Sequence, residues 1–589
     1  MGLLGDVYDV SLAVPILPTL SSLKHFLVEV LAPGSNHSWL RSIRSLKLRD
    51  RLSILGSLFL FRKRLPSTVP CLKAFAVKMS TPAPDPPHGF MSFITREVMG
   101  MFPEGWDRRW KGAVLGTVVR TTACLESSRR RGGARGVVLR NEFLERHDFC
   151  RELLNKYSRW EPNVNSVKLA IAKTDGKDRL VSVNSVDMTC LTPFHSLVYD
   201  HISDMPWCLR GEAKPSSFRD FTIRDGEVFV SGDYESATDN LNRDVARHIL
   251  SLICLRSTRV PNFVRKAALD TLDVTASGTG IEPFKVRRGQ LMGNALSFPL
   301  LCLQNYLAFK FLVPREVPLR INGDDIVFRA RPEEYRRWSE GVVACGLTLS
   351  AGKTAVSSRW FSLNSTFFVA GGSRVKLAPV IRSTALFKPL EDIGSLKGRV
   401  ETLSGFGGAK KTKVVSFFLR RFFRSIWWSQ RSLRRGLDIR VSDDVLRATK
   451  LYDREVFYTL DVPRKLDRPL PGISVGYYRS SVPEGWARVR RKGKDDPEFY
   501  KELVEASWNP ERSSESLVPT QEGTVRYVSG FLTRKFQRLS GFKSRAALFV
   551  YLRRTLPPAE RKSHLVWRKE CGGDDLWDHP VPFSRCGWA

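Results

Sequence analysis

Two acidic strand ends carry the chemistry this sequence offers: Val228-Phe229-Val230-Ser231-Gly232-Asp233 and Ile321-Asn322-Gly323-Asp324-Asp325-Ile326-Val327-Phe328. Brought side by side, Asp233, Asp324 and Asp325 converge on a point able to hold two divalent cations and to run phosphoryl transfer on nucleotides. Adjacent buried acids repel and raise each other's pKa, a cost that bound cations remove. Ligands that are all oxygen, with no His or Cys nearby, favour Mg²⁺ or Mn²⁺ over zinc. The Gly-Asp-Asp triplet alone carries little weight. A second copy, Gly573-Asp574-Asp575, lacks flanking strand pattern and reads as a surface turn.

The elements around these acids decide whether they can meet. Residues Glu227 to Val230 are apolar and β-branched enough for a strand, and a helical segment follows from Asn242 to Leu255. Asp239 lies between them, placed either to reach the same cleft or to cap the helix through its free N–H groups. Leu319, Ile321, Ile326 and Phe328 supply the apolar halves of a hairpin around the Gly-Asp-Asp turn. Between the acidic elements, Gly289-Gln290-Leu291-Met292-Gly293-Asn294-Ala295-Leu296-Ser297-Phe298-Pro299 reads as a loop entering a helix that continues to Phe309. Such a loop seats a nucleotide or template backbone against main-chain groups, or serves only to start a helix with Pro299 in its first turn. Upstream, Val167 to Lys173 and Arg179 to Val183 alternate on either side of Asp175-Gly176, a strong hairpin signal.

Bulk properties point the same way. The chain has 589 residues, 42% of them hydrophobic, enough for several domains or one multi-lobed enzyme. Its net charge of +34 is spread along the whole length and implies attraction to polyanions, with counterion release driving binding. Ten cysteines without a Cys-x-x-Cys pair argue for a reducing compartment and against a zinc module or disulfide framework. The apolar N-terminus is broken by Pro15, Pro18 and Pro33, so no spanning helix or cleavable leader is expected. Ile54 to Phe61, followed by Arg62-Lys63-Arg64, fits a buried helix better than one resting on a membrane surface. Pro82 to His88 reads as a linker, and the glycine-containing Ser404 to Ala409 marks a turn to basic, aromatic composition.

Ser231 to Asn240, Gly289 to Pro299 and Asn322 to Asp325, in that order, resemble motifs A, B and C of viral RNA-directed RNA polymerases. The nearest resemblance is to ourmia-like mycoviruses (botourmiaviruses), with narnavirus and RNA phage replicases as broader relatives. The resemblance implies that Asp233 and Asp324 ligate both of two catalytic metals and that Asp325 is a weaker or indirect ligand. Asp239 matches the acid that favours a ribose 2′-hydroxyl. Gly293 and Ser297 match motif B positions near the incoming ribose and template. Many primer-dependent polymerases carry Asn one helical turn beyond the hydroxyl residue; this chain has Leu301 there, and Asn305 is the nearest candidate for sugar recognition. Lys168, Lys173, Lys177 and Arg179 are similar to motif F, which holds the triphosphate, an exposed basic hairpin being the alternative. Gly346 to Thr354 looks like motif D, making Lys353 a candidate general acid for departing pyrophosphate, or else a solvated loop lysine. Asn364 to Val369 looks like motif E, a strand pair under the primer end, or a plain core strand. Beyond Ala409, Arg421, Arg424, Arg431 and Arg435 share one broad helical face beside Phe418 and Phe422. That pattern suits a thumb helix tracking an RNA backbone, and a membrane-surface helix would use it too. Arg129 to Arg131 and Arg488 to Lys494 read as solvated loops.

The expected fold class is therefore α+β: a right-hand polymerase with a palm of RNA-recognition-motif type. The expected division is an N-terminal extension (1–100), fingers (101–222), palm with motif A (223–243), a fingers insertion (244–288), palm with motifs B to E (289–385), and thumb with the C-terminal region (386–589). The expected activity is replication of a small positive-strand RNA virus genome, with RNA template and product, NTPs and genomic ribonucleoprotein as partners. The expected place is the host cytoplasm; membrane association has no support in the sequence. A reverse transcriptase shares the metal site but prefers dNTPs. A nucleocapsid-like RNA-coating protein explains the charge but not three ordered motifs.

Overall fold

The computed structural model describes residues 1–460 except 33, 67–68, 139–145, 175–176, 351–353, 373, 391–392, 430 and 435–436. Beyond 460 it describes 486–490, 501, 504–505, 507–508 and 565–569. The strands are β1 Ser166–Thr174, β2 Lys177–Asn184, β3 Val228–Gly232, β4 Thr275–Gly278, β5 Ile281–Lys285, β6 Leu319–Asn322 and β7 Asp325–Ala330. They continue with β8 Ala355–Ser357, β9 Trp360–Leu363, β10 Thr366–Ala370, β11 Val375–Ala378, β12 Trp486–Arg490 and β13 Leu565–Lys569. The chain is mixed α and β and divides into two compact units. One is Pro15–Val380 with Glu498–Ser514; the other is Met1–Val14, Ile381–Pro497 and Glu515–Ala589.

The larger unit is built on the antiparallel sheet β6-β7-β3-β8. β3 does not alternate in burial because both of its faces are covered. On one side Val230, Ile326 and Phe328 meet the helices Phe90–Met101, Arg243–Leu255 and Ser297–Leu312. On the other, Phe229 and Val327 join Phe218, Phe221, Phe361 and Phe368. Each aromatic side chain so withdrawn from water contributes about 1.5–3 kcal/mol. The helix Arg243–Leu255 starts where its sequence says it should, with the Asn242 side chain accepting from the N–H groups of Asp244 and Val245.

A second sheet, β2-β1-β4-β5, pairs the β1–β2 hairpin in parallel fashion with the later β4–β5 hairpin. The third, β11-β10-β9, is a meander whose first turn, Asn364-Ser365, has positive φ at both residues. Two such residues in a two-residue loop match the right-handed twist of the flanking strands.

From Pro15 onward the expected N-terminal extension belongs to this unit. The helix Leu48–Phe61 lays Leu52 and Leu60 against Phe367, Ala378 and Val380. Contact is so close that a Cβ on Gly56 would lie 2.8 Å from both Phe367 and Val380. The expectation of a buried helix over Ile54 to Phe61 holds, and its burial face is the β9–β11 meander.

In the smaller unit, the helix Gly408–Arg421 packs against Gly2–Tyr8, and Lys413 donates to the Asp6 carbonyl at 2.8 Å and the Asp9 carboxylate at 2.7 Å. The continuous basic helix expected from Val414 to Arg435 is instead two. The first ends at Phe422, whose φ of −104° and ψ of 18° leave the helical region, and a second runs over Phe423–Trp428. Among the described residues no helix is long and apolar enough to cross a membrane.

Candidate active site

Register brings the two acidic elements together. β3 and β7 pair antiparallel as far as Gly232 opposite Ile326. Continued one step, that register would set Asp233 opposite Asp325, and the Asp233 charge acts on the Asp325 carboxyl. Asp324 occupies the two-residue turn between β6 and β7, where it is exposed, while Asp325 is half-buried. Burial, then the charges of Asp324 and Asp233, push the Asp325 carboxyl up to about 7, against the opposing pull of the Lys63 ammonium and the Asn364 N–H. Asp325 thus feels the charges of both other carboxylates. Among the described residues no three His, Cys, Asp or Glu side chains stand close enough together to form a finished metal site. The donor set nonetheless fits a hard divalent cation, since it is all oxygen, like-charged and costly to ionise without a counter-charge.

That cost has a sign that can be measured. A carboxyl whose folded pKa is raised penalises the fold when ionised; the penalty is absent below the unfolded pKa of about 4 and complete above the folded value of about 7. Asp325→Asn is therefore expected to raise the melting temperature in EDTA at pH 8 and to lose that advantage at pH 4. An equal shift at both pH values would contradict the stated cause.

The acid-bearing turns are held by buried polar contacts rather than by apolar packing alone. Asn305, fully buried on the helix Ser297–Leu312, accepts from the Tyr234 hydroxyl at 3.0 Å and donates to the Gly323 carbonyl at 3.0 Å. It thereby ties the residue after Asp233 to the residue before Asp324. This corrects the expectation that Asn305 contacts a nucleotide sugar: both ends of its amide are engaged inside the core. The Gly323 N–H points to the Cys302 sulfur at 3.3 Å, and the Asn322 amide donates to the Leu209 carbonyl at 2.7 Å. On the other side of the gap, the Ser350 N–H donates to the Asp233 carbonyl at 2.8 Å and the Glu235 N–H to the Thr348 carbonyl at 2.8 Å.

Asp239 is not a helix cap. It lies in the short helix Ala237–Asn240, partly buried, accepting from the Thr238 hydroxyl at 3.2 Å and 3.9 Å from the Lys78 ammonium. The Gly289 loop is fastened to this same turn: the Gly289 N–H donates to the Leu241 carbonyl at 2.8 Å and the Gln290 N–H to the Thr238 carbonyl at 2.7 Å. Its other end docks on β2. The Met292 carbonyl accepts from the Ser182 N–H at 2.7 Å, and the Gly293 carbonyl accepts from the Asn184 amide at 2.9 Å. Ser297 is buried at the start of its helix, with Pro299 in the first turn as expected.

The basic hairpin does not present all its cations together. Arg179 pairs with Ala172 and so shares a strand face with Lys168, whereas Lys173, opposite Asp178, belongs to the other face. Lys168, Lys173 and Arg179 are exposed, and Arg179 reaches the Met292 sulfur at 3.8 Å. Lys177 opens β2 opposite Thr174. In the smaller unit Arg421 and Arg424 are exposed on the two successive helices, while Arg431 follows them outside a helix. Lys353, Arg435 and the second triplet Gly573-Asp574-Asp575 lie outside the described residues.

Sequence reasoning missed two residues at the site. Arg62 and Lys63, at the end of the helix Leu48–Phe61, stand beside the carboxylates; Arg62 lines a cleft with Asp233 and Asp325. The run Arg62-Lys63-Arg64 was visible as a basic cluster after an apolar helix, but nothing local connects it to acids far along the chain.

No protein-family model matches the chain. It is 31% identical over 183 residues to the RNA-dependent RNA polymerase of Ourmia melon virus (isolate Melon/Iran/VE9), a match covering 28% of this chain and 21% of that protein. It is 28% identical over 170 residues to the RNA-directed RNA polymerase of Saccharomyces 23S RNA narnavirus, covering 26% of this chain and 18% of that protein. The matched region spans about a fifth of the length of each relative. The resemblance read from the three ordered motifs is thus borne out: the chain is similar to the polymerases of an ourmiavirus and a narnavirus.

Proposed function

We propose that this chain is an RNA-directed RNA polymerase that copies a small positive-strand RNA virus genome from NTPs. The observation that carries the reading is the β3–β7 register, which continued one step would set Asp233 against Asp325, with Asp324 on the adjoining turn and Asn305 bridging the two elements. In right-hand terms, the β6-β7-β3-β8 sheet is the palm, the β2-β1-β4-β5 sheet belongs to the fingers, and the smaller unit contains the thumb. Asp233, Asp324 and Asp325 would hold two Mg²⁺ or Mn²⁺ ions, which when bound lower the barrier to attack of a 3′-hydroxyl on the α-phosphate and stabilise the leaving pyrophosphate.

The chain's own groups would supply position. Lys168 and Arg179, exposed on one strand face, offer an anion-binding surface for the triphosphate, and Arg179 does so next to the Gly289 loop. Asp239, attached through its turn to that loop, is the group to sense the ribose 2′-hydroxyl. Lys353 remains the candidate proton donor to pyrophosphate, and Arg421, Arg424, Arg431 and Arg435 the candidates for the RNA backbone. The working location is the host cytoplasm, with genomic RNA held as a ribonucleoprotein.

The test is synthesis by the purified chain on defined RNA with Mg²⁺, comparing NTPs with dNTPs. Incorporation of NTPs is expected, and preferred dNTP use would make the chain a reverse transcriptase. Asp239→Ala is expected to cut the NTP over dNTP preference by about tenfold or more, the worth of one lost charge-assisted hydrogen bond. Unchanged discrimination would remove Asp239 from sugar selection. RNA binding without any synthesis would leave only a coating role.

A further inference from the structure

Arg62 and Lys63 belong to the N-terminal helix layer, yet they stand at the catalytic carboxylates. Lys63 donates to the Ser365 hydroxyl at 3.1 Å, in the β9–β10 turn, and its charge acts on Asp325. The Arg62 guanidinium lies 3.8 Å from the centre of the Phe59 ring, which fixes its plane. Arg62 shares a cleft with Asp233, Asp325, Ser362 and Asn364. Its Nε is buried without a hydrogen-bond acceptor. Burial lowers the Arg62 pKa, while the charges of Asp233 and Asp325 pull it back up.

A half-buried guanidinium beside these carboxylates favours an anionic neighbour. With divalent cations on the carboxylates, that neighbour during synthesis would come with the substrate. Two polyanions meet at such a centre, the incoming triphosphate and the backbone of the growing strand. The exposed Arg179 of the β1–β2 hairpin adjoins the Gly289 loop, and the exposed Lys168 shares its strand face. Arg62 and Lys63 instead adjoin β9, β10 and their turn. We propose that Arg62 and Lys63 are positioning residues that bind the phosphates at the 3′ end of the growing RNA strand. The inference rests on the polymerase reading above. The planar fork of Arg62 suits two oxygens of one phosphate, and the point charge of Lys63 suits its neighbour.

The experiment measures binding of a primer–template RNA with Mg²⁺ and without NTPs, using ordinary linkages or neutral methylphosphonates at the two 3′-terminal linkages of the primer. The wild-type chain is expected to bind the neutral version about tenfold more weakly. The double variant Arg62→Ala, Lys63→Ala is expected to bind ordinary RNA about tenfold more weakly and to ignore the neutral substitution within about twofold. Its salt dependence should fall by about 1.4 to 1.8 in slope for two lost phosphate contacts. Arg62→Lys, which keeps the charge, is expected to retain most of the affinity.

Extension assays on the same proteins should show a raised half-saturating RNA concentration with unchanged KM for NTP and unchanged Mg²⁺ requirement. The proposal is overturned if wild-type binding ignores the neutral linkages or if the double variant still loses tenfold on them. It is equally overturned if the effect appears in the KM for NTP or in the Mg²⁺ requirement, which would make Arg62 a triphosphate ligand or a counter-ion. Binding without NTPs needs no catalysis, so a wild-type chain that fails to synthesise RNA counts against the polymerase reading and leaves the binding comparison to decide this one.

Discussion

Asp324→Asn is expected to abolish RNA synthesis, leaving less than about a thousandth of the wild-type rate, while the melting temperature stays within a few degrees. The first half follows from charge: an amide keeps the shape of the side chain but removes the negative oxygen that a hard cation requires. The second follows from place. Asp324 is exposed on the two-residue turn between β6 and β7, and the Gly323 carbonyl and N–H and the Asn322 amide help to hold that turn. Single-nucleotide extension and a thermal melt on the same preparation check both. Synthesis at even a tenth of the wild-type rate would remove Asp324 from the metal-binding set and with it the mechanism.

Gly293→Ala should have the next largest effect, for a steric reason. Gly293 has a φ of +118°, a conformation that side chains rarely tolerate, and a Cβ there would lie 2.4 Å from the Ser182 carbonyl oxygen. The obstacle is backbone, so no rotamer change relieves it. The loop has to lift from β2, giving up the bonds from Ser182 to Met292 and from Asn184 to Gly293. A displacement of about 1 Å at a reacting site costs on the order of 100-fold in rate, and that is the loss expected in kcat/KM for nucleotide addition. Gly280→Ala is the control. Its φ of +74° carries backbone strain, but nothing lies within 4 Å of the added methyl. Equal losses in the two variants would show that strain, and not the docking of the loop on β2, sets the effect.

How much of this was readable in the sequence depends on how local each cause is. The helix starting at Asn242, the apolar halves of the β6–β7 hairpin and the strand before Asp233 follow from neighbours within a few positions, and the structure keeps all three. The pairing of β3 with β7 was legible only because the order of motifs supplied a topology. Asn305 was misread because its partners, Tyr234 and Gly323, lie 71 and 18 residues away, and an Asn on an apolar helix carries no mark of what it will bond. The arginines after Phe418 were placed on one face by assuming an unbroken helix. Phe422 ends that helix, and the residue types around it give no Gly or Pro signal of the break. Lys168 and Lys173 looked alike in composition, but odd spacing along a strand sends them to opposite faces.

The docking of the helix Leu48–Phe61 on the β9–β11 meander also bears on how the protein is made. The Ser53 hydroxyl donates to the carbonyl of Pro379, 326 residues later in the chain. At about 5–20 residues per second, a ribosome needs on the order of 15 to 65 seconds to make that stretch. Throughout that interval Leu52 and Leu60 have no meander to cover them. The nascent chain therefore carries an uncovered apolar helix during synthesis of most of the larger unit, a client for chaperones, and a helix made well before the meander reaches its final surroundings only after it.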